Sequence, residues 1–371
     1  MARVAILNSR QSKTPTVQDE WVSQTIAAVG RAQTDGDDIV SSIGQFTWDL
    51  VSWEAFNRGV NLHLVVPRLE PRRLSHLSRD IFGPLDPGDQ RINWVFLDTE
   101  SPVESKKWWR ERDRMVLELA DTVRPVSLRP KSGWEELLGP IRDQRRIDHR
   151  FVTSYKPKAH HLRVAVDTER LHPELADWPK RFLIHWTRAS HGPWPGETKA
   201  DFFRDFVRDQ NEPSAYCRSA FHTLQRIISE GRIRASSWRV GSGVPMVALT
   251  ECSPLESLPL IRWRARWSRW SFEPYGIALD RDWLAARGAR PIRYLDEIDW
   301  KVLSAEQKPW CHQIGENADV WPAEREWRVQ GDLILAGVPR DAIRLIVRLP
   351  IEREHLQRRL DLDVIPMMTG E

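Results

Sequence analysis

The chain has 371 residues, 41% hydrophobic and 29% charged, with a formal net charge of +3. That length predicts about two domains, and the apolar share excludes a disordered chain. The near balance of 55 basic and 52 acidic residues does not demand a nucleic-acid partner, although a local basic patch stays open. Cys217, Cys252 and Cys311 lie far apart and form no C-x-x-C pair; the odd count argues against a disulfide framework and for a reducing compartment. The N-terminus is too short for the apolar region of a signal peptide, and no apolar run approaches the ~18 residues of a membrane span. The expected location is therefore the cytoplasm.

In chain order, Val4–Leu7 reads as a strand and Asp19–Gln33 as a helix with Trp21, Val22, Ile26 and Val29 on one face. Asp38–Ser41 is a second strand, Phe46–Asn57 a second helix and Asn61–Val66 a third strand. Ile92–Leu97 and Thr122–Ser127 are further strands around a helix at Ser105–Ala120. Strands alternating with helices predict parallel βαβ units and an α/β, doubly wound, Rossmann-like domain over residues 1–145. Such sheets bind ligands at the carboxyl ends of their strands. The turns Asn8-Ser9-Arg10 and Ser41-Ser42-Ile43-Gly44 then offer Ser9, Arg10, Ser42 and Gly44 as candidate ligand residues, because N–H groups at a helix start favour anions. Plain capping and turn chemistry is the competing account.

The residues Ile6-Leu-Asn-Ser-Arg10, Trp21-Val-Ser-Gln-Thr25, Ile39-Val-Ser-Ser-Ile-Gly44 and Thr47-Trp-Asp-Leu50 resemble the SLOG superfamily, the Rossmann-like group of DNA-processing-protein-A-like and LOG-like domains. The resemblance covers about 130 residues. It implies nucleotide sensing. It does not extend to the hydrolase members, since no P-G-G-x-G-T run is present.

Residues 146–180 are rich in charge, His and Pro and read as a linker. His160-His161 is not a metal site, because neighbours on a strand point opposite ways and no third ligand is near. From residue 181 to 371 the pattern becomes α+β. Phe182–Trp186 is a strand ending on His185, followed by Thr187 and Arg188. Ser219–Ser229 is a helix closed by Gly231. Val244–Leu249, Tyr275–Leu279, Pro291–Leu295 and Ile343–Leu349 are strands. Arg262–Trp270 reads as an amphipathic helix, with Trp263, Trp267 and Trp270 on one face. Its arginines, Arg262, Arg264 and Arg266, are candidate nucleic-acid contacts; a Trp stripe of the core is the plainer account. The nineteen tryptophans of the chain divide between a Trp-rich core and a pocket for a flat aromatic ligand.

The order His185, the Gly231-Arg-Ile-Arg-Ala235 segment, Val247-Ala-Leu-Thr-Glu251, Phe272-Glu-Pro-Tyr-Gly-Ile-Ala278 and Glu324-Arg-Glu-Trp-Arg328 resembles the ADP-ribosyltransferase superfold of DarT-like toxins and AbiG-type abortive-infection proteins. The likeness implies NAD as substrate, with Glu326 as catalytic carboxylate and Glu324 as its partner. It places His185, with Thr187 and Arg188, on the adenosine side and Tyr275 on the nicotinamide side. It also implies a role in bacterial defence against phage. The chemistry fits the residue types. Breaking the nicotinamide–ribose bond makes an oxocarbenium-like centre that one carboxylate stabilises, while a second orients or deprotonates the acceptor. If Trp321–Arg328 is a strand, Glu324 and Glu326 share a face. The competing account is a solvated charged edge neutralised by Arg328.

Two further readings stand beside this one. Both domains bind nucleotides or nucleic acid without chemistry; or the first domain acts on an N-glycosidic bond through Asp98 and Glu100. Glu251 is a weaker candidate at its strand end. No metal and no membrane contact is expected.

Overall fold

The structure is a computed structural model and describes residues 1–84, 90–99, 105–141, 143, 146–156, 166–208, 216–237, 243–265, 269–314 and 322–370. It is mixed α/β and divides into two compact units. The first comprises Met1–Ala159 and His191–Cys217, the second His160–Ser190 and Arg218–Glu371. This differs from the boundaries read from the sequence. Residues 146–156 join the first unit, where Ile147 bridges Val123 and the Thr153 N–H donates to Val126 O at 2.8 Å. Residues 191–217 return to that unit. Among the described residues no helix is long and apolar enough to cross a membrane.

The first unit has five strands, β1 (Arg3–Asn8), β2 (Asp38–Ser42), β3 (Leu62–Pro67), β4 (Ile92–Leu97) and β5 (Thr122–Ser127). All pair in parallel, in the order β4-β3-β2-β1-β5. Between them run α1 (Glu20–Asp35), α2 (Phe46–Asn57), α3 (Pro71–Phe82) and α4 (Lys106–Leu119), and α5 (Gly133–Leu138) follows β5. Continuous apolar runs suit strands covered on both faces; Val4, Ala5, Ile6 and Leu7 are all fully buried. Trp108 of α4 and Trp134 of α5 pack on the sheet face carrying Ala5, Leu7, Val40 and Val65. A sixth helix, α6 (Lys199–Arg208), belongs to the returning segment. Its Phe202, Phe203 and Phe206 surround Phe46 with ring centroids 5.3–5.8 Å apart.

The second unit is built on a seven-stranded mixed sheet. Its strands are β6 (Phe182–Trp186), β8 (Met246–Thr250), β11 (Gly276–Asp280), β12 (Arg290–Pro291), β15 (Glu326–Gln330), β17 (Ile343–Val347) and β18 (Asp363–Pro366), in the order β12-β15-β8-β6-β11-β17-β18. Three ribbons complete it: β7 (Arg232–Ile233) with β16 (Leu333–Ile334), β9 (Trp263–Arg264) with β10 (Arg269–Trp270), and β13 (Arg293–Leu295) with β14 (Cys311–Gln313). The helices are α7 (Ala220–Glu230), α8 (Pro254–Ser257), α9 (Arg281–Ala285), α10 (Glu297–Lys301) and α11 (Pro350–Gln357). Gly231 closes α7 at φ 62°, in the left-handed region that glycine adopts without strain.

The expected Arg262–Trp270 helix is corrected. Trp263–Arg264 and Arg269–Trp270 form an antiparallel ribbon, with Trp263 opposite Trp270 and Arg264 opposite Arg269. The Ser271 hydroxyl ties its base, donating to Leu260 O at 2.6 Å and accepting from the Arg262 N–H at 3.0 Å. The Trp spacing that matches a helix face equally brings Trp263 and Trp270 together across a tight ribbon, rings edge to face at 5.8 Å. Arg266 and Trp267 lie outside the described residues.

Candidate functional site

The strand register of the second unit decides which residues meet. Directly opposed residues on neighbouring strands point to the same side. One row runs Glu326–Thr250–Ile184–Ala278–Arg344, and the next runs Trp327–Leu249–His185–Ile277–Leu345. The cores agree: Ile184, Ala278 and Ile346 pack together on one face, Leu249, Ile277 and Leu345 on the other. His185 therefore lies on the opposite face of the sheet from Glu326. Tyr275 stays with His185, because Thr187 and Tyr275 continue the His185–Ile277 side beyond the strand ends.

The expected Glu324–Glu326 strand pair is also corrected. Pro322–Glu324 is a 3-10 turn, Arg325 sits at φ 41°, and β15 starts only at Glu326. A left-handed residue between them breaks the alternation on which the shared face depended. Both carboxylates lie close enough to Tyr294 of β13 for their charge to act on its phenol. The Glu326 N–H donates to its phenol oxygen at 3.2 Å. Burial first, then the charges of Glu326 and Glu324, push the Tyr294 phenol well above its ordinary range.

Glu326 is held by Arg328. The guanidinium donates to it from Nε at 2.7 Å and from Nη2 at 3.3 Å, and also to Pro309 O at 2.7 Å and Cys311 O at 3.2 Å. Arg328 is buried, so this pair is a fixed, charge-assisted bidentate contact and not a solvated edge. Glu324 pairs with Arg264 of the ribbon at 3.6 Å. Arg262 gives its backbone to the ribbon base, and its Nε is buried without a hydrogen-bond partner. Glu251 pairs with Arg281 at 2.8 Å and its N–H donates to Arg325 O. Trp321 lies outside the described residues. What the structure gathers is Glu326, Glu324, Tyr294, Arg328 and Arg264. Of these, Tyr294 was not singled out by the sequence reading, which placed it in a strand (Pro291–Leu295), since one Tyr in a short strand carries no signal of a site.

The other expected residues form a second group. His185 is half-buried, and its Nδ1 lies 2.8 Å from Ala248 O. That contact assigns the proton to Nδ1. Burial pushes the imidazole below its ordinary range. The Thr187 hydroxyl lies 2.9 Å from Ala220 O and 3.1 Å from Tyr275 O, a structural commitment. Arg188 reaches Ser271 O at 3.4 Å and stands near Glu273. Tyr275 donates to Glu352 at 2.8 Å. Burial raises both Tyr275 and Glu352.

In the first unit the carboxyl edge of the sheet is largely committed to the fold. The Gly44 N–H donates to Asp49 Oδ1 at 2.8 Å, and Lys199 Nζ lies 2.9 Å from Asp49 Oδ2. The Ser42 hydroxyl donates to Val65 O at 2.8 Å. Ser9 takes the Arg129 N–H on its hydroxyl at 2.8 Å, and the carbonyl of exposed Arg10 accepts from Tyr155 at 3.1 Å. Between β1 and β5 some capacity is left over: Asn8 Oδ1 and Ser127 Oγ are buried without a hydrogen-bond partner. Asp98 is an exposed partner of Arg68, and Glu100 lies outside the described residues. Among the described residues no group of three or more His, Cys, Asp or Glu is placed to hold a metal.

No family model matches the chain, and no curated protein matches it. A solved structure that it resembles is that of DNA processing protein A from Helicobacter pylori, described for its single-stranded DNA binding mode. The identity is 19% and the TM-score 0.26, with 37% of this chain and 59% of that one covered. The chain thus spans less than two thirds of that protein, and a likeness at this TM-score carries no functional weight.

Proposed function

We propose that the second unit cleaves NAD and transfers ADP-ribose to an acceptor or to water, with Glu326 as its carboxylate. The first unit binds a nucleotide-class cue, and the role is in bacterial defence against phage. The observation that carries this reading is the Glu326–Arg328 pair beside Tyr294 and Glu324. A buried arginine fixes the carboxylate's position in advance while offsetting part of its charge, and a placed carboxylate is what a developing oxocarbenium-like ribose requires. Glu324, next but one in the chain to Glu326, orients the acceptor. Arg264, paired with Glu324, offers the planar donors that suit a pyrophosphate. His185, Thr187 and Tyr275, first assigned to the adenosine and nicotinamide sides, do not share this face and are not part of the proposal; Arg188, engaged at Ser271 O, is not included either.

For the first unit, the strand order supports the boundary of β1 and β5, where β2, β3 and β4 extend on one side of β1 and β5 is added on the other. The unspent Asn8 and Ser127 atoms lie there, with Ser9 and Arg10 beside them. Ser42 and Gly44 are not included, because their donors are already used.

A second reading has its own observation. Arg264 and Arg269 stand directly opposed across the ribbon, two residues of the type that contacts phosphate groups. One experiment separates the two. Nicotinamide release by the purified chain is compared with that of Glu326→Gln, and oligonucleotide binding is followed against salt. A loss of about 100-fold or more in Glu326→Gln supports catalysis. Equal rates overturn it. No release, with salt-dependent binding that falls in Arg264→Ala, marks a binding protein instead.

A further inference from the structure

Arg325 stands between the two carboxylates in a conformation that arginine rarely adopts. Its φ is 41°, and among the described residues Lys131 is the one other non-glycine with positive φ. A Cβ in the left-handed region collides with its own backbone, so the conformation persists only where the surroundings impose it. Here they do so from three sides. The Arg325 N–H donates to Pro322 O, and its carbonyl accepts from the Glu251 N–H, both at 3.1 Å. The Thr250 hydroxyl donates to Glu324 O at 2.5 Å. The Arg325 guanidinium reaches back, with Nη2 2.6 Å from Glu256 and Nε donating to the buried Cys252 sulfur at 3.3 Å.

We propose that Arg325 is a positioning residue, whose locked left-handed turn sets Glu324 against Arg264 and Glu326 against Arg328 beside Tyr294, although the two do not share a strand face. This rests on the NAD-cleaving reading of the second unit. A strand through 324–326 would fix both side chains by pleating alone; the turn substitutes a lock that can be cut without touching either carboxylate. Glu256 holds the lock from α8, and Cys252 lies beneath it.

The test uses the full chain with Arg325→Gly and Glu256→Gln. Glycine keeps the left-handed turn without strain and removes the side-chain lock. The expected result for each is a fall in kcat for nicotinamide release of about tenfold with KM held within about twofold, the signature of misplacement rather than lost binding. The thermal midpoint stays at the wild-type value. Wild-type kcat in Arg325→Gly, or kcat, KM and midpoint falling in step, overturns the proposal. If the wild type releases no nicotinamide, the NAD reading fails by itself and the lock is read directly. Iodoacetamide labelling of the native chain, mapped by mass spectrometry, then rises several-fold at Cys252 in both variants while Cys217 and Cys311 keep their rates. Unchanged Cys252 labelling overturns the lock.

Discussion

The two units use buried charge for different ends. In the first, Arg124 of β5 is buried and sits among Asp35, Asp37 and Asp148, while Lys199 covers the buried Asp49. These pairs join elements that are distant in the chain, α6 to the start of α2 and β5 to the turn before residue 150. In the second, Arg328 anchors Glu326 at the first residue of a strand, beside a tyrosine and a second carboxylate. The first arrangement closes a fold. The second leaves a carboxylate fixed and facing other chemistry. Burial with a partner is common to both, so what surrounds the pair, rather than the pair itself, carries the functional meaning.

The largest effect should come from breaking the second-unit pair. Arg328→Met removes the guanidinium from Glu326 and from the carbonyls of Pro309 and Cys311. Stripping one partner from a buried ion pair leaves an uncompensated charge, at a cost of about 3 kcal/mol. Chemical denaturation at pH 7 measures it. A loss below about 1 kcal/mol would make Arg328 an ordinary surface partner and would weaken the case for a preorganised Glu326.

Much of the first unit was legible in the sequence because its elements are long and its apolar runs continuous. The strands Ile92–Leu97 and Thr122–Ser127 and the helix Phe46–Asn57 fall where the pattern put them. Missing were α3, whose Pro71–Phe82 run is dominated by Arg, His and Ser and buries only Ser78, Ile81 and Phe82, and α5, six residues long. The second unit hid more. Strands of two or three residues, such as β9, β10 and β14, are too short for alternation to be counted. The Trp263–Trp270 spacing fitted a helix and a ribbon equally. The Glu324-Arg-Glu326 triplet suggested a strand because nothing in it marks a left-handed turn; a glycine would have done so. The separation of His185 from Glu326 depends on register across three strands, which the order of motifs along a chain does not encode.

A smaller effect tests the first unit. Lys199→Met removes the cation from the buried Asp49 and leaves the Gly44 N–H donating to it. Burial already raises the Asp49 carboxyl above its ordinary value, against the pull of Lys199. The expected loss at pH 7 is about 2 kcal/mol. It should shrink as pH falls, since a protonated Asp49 needs no cation. Adding Asp49→Asn to Lys199→Met should recover part of the loss. A loss that is flat with pH would show that Lys199 acts through packing of α6 alone.

The smallest effect concerns Asp148, which shows how a carboxylate behaves when its partners serve only the fold. Hydrogen bonds from the Arg150 guanidinium, with help from the Arg150 N–H and Arg124, hold its carboxyl down at about 2. A folded-state value below the unfolded one of about 3.9 means the contribution is present above that value and lost as pH falls through about 2. Stability measured from about pH 5 down to about pH 2 should therefore fall more steeply in the wild type than in Asp148→Asn. Because Arg150 is mostly exposed, the difference should stay under about 1 kcal/mol. Parallel curves would place the acid sensitivity of the first unit elsewhere, and would leave Arg124, with Asp35 and Asp37, as the part of the cluster that holds β5.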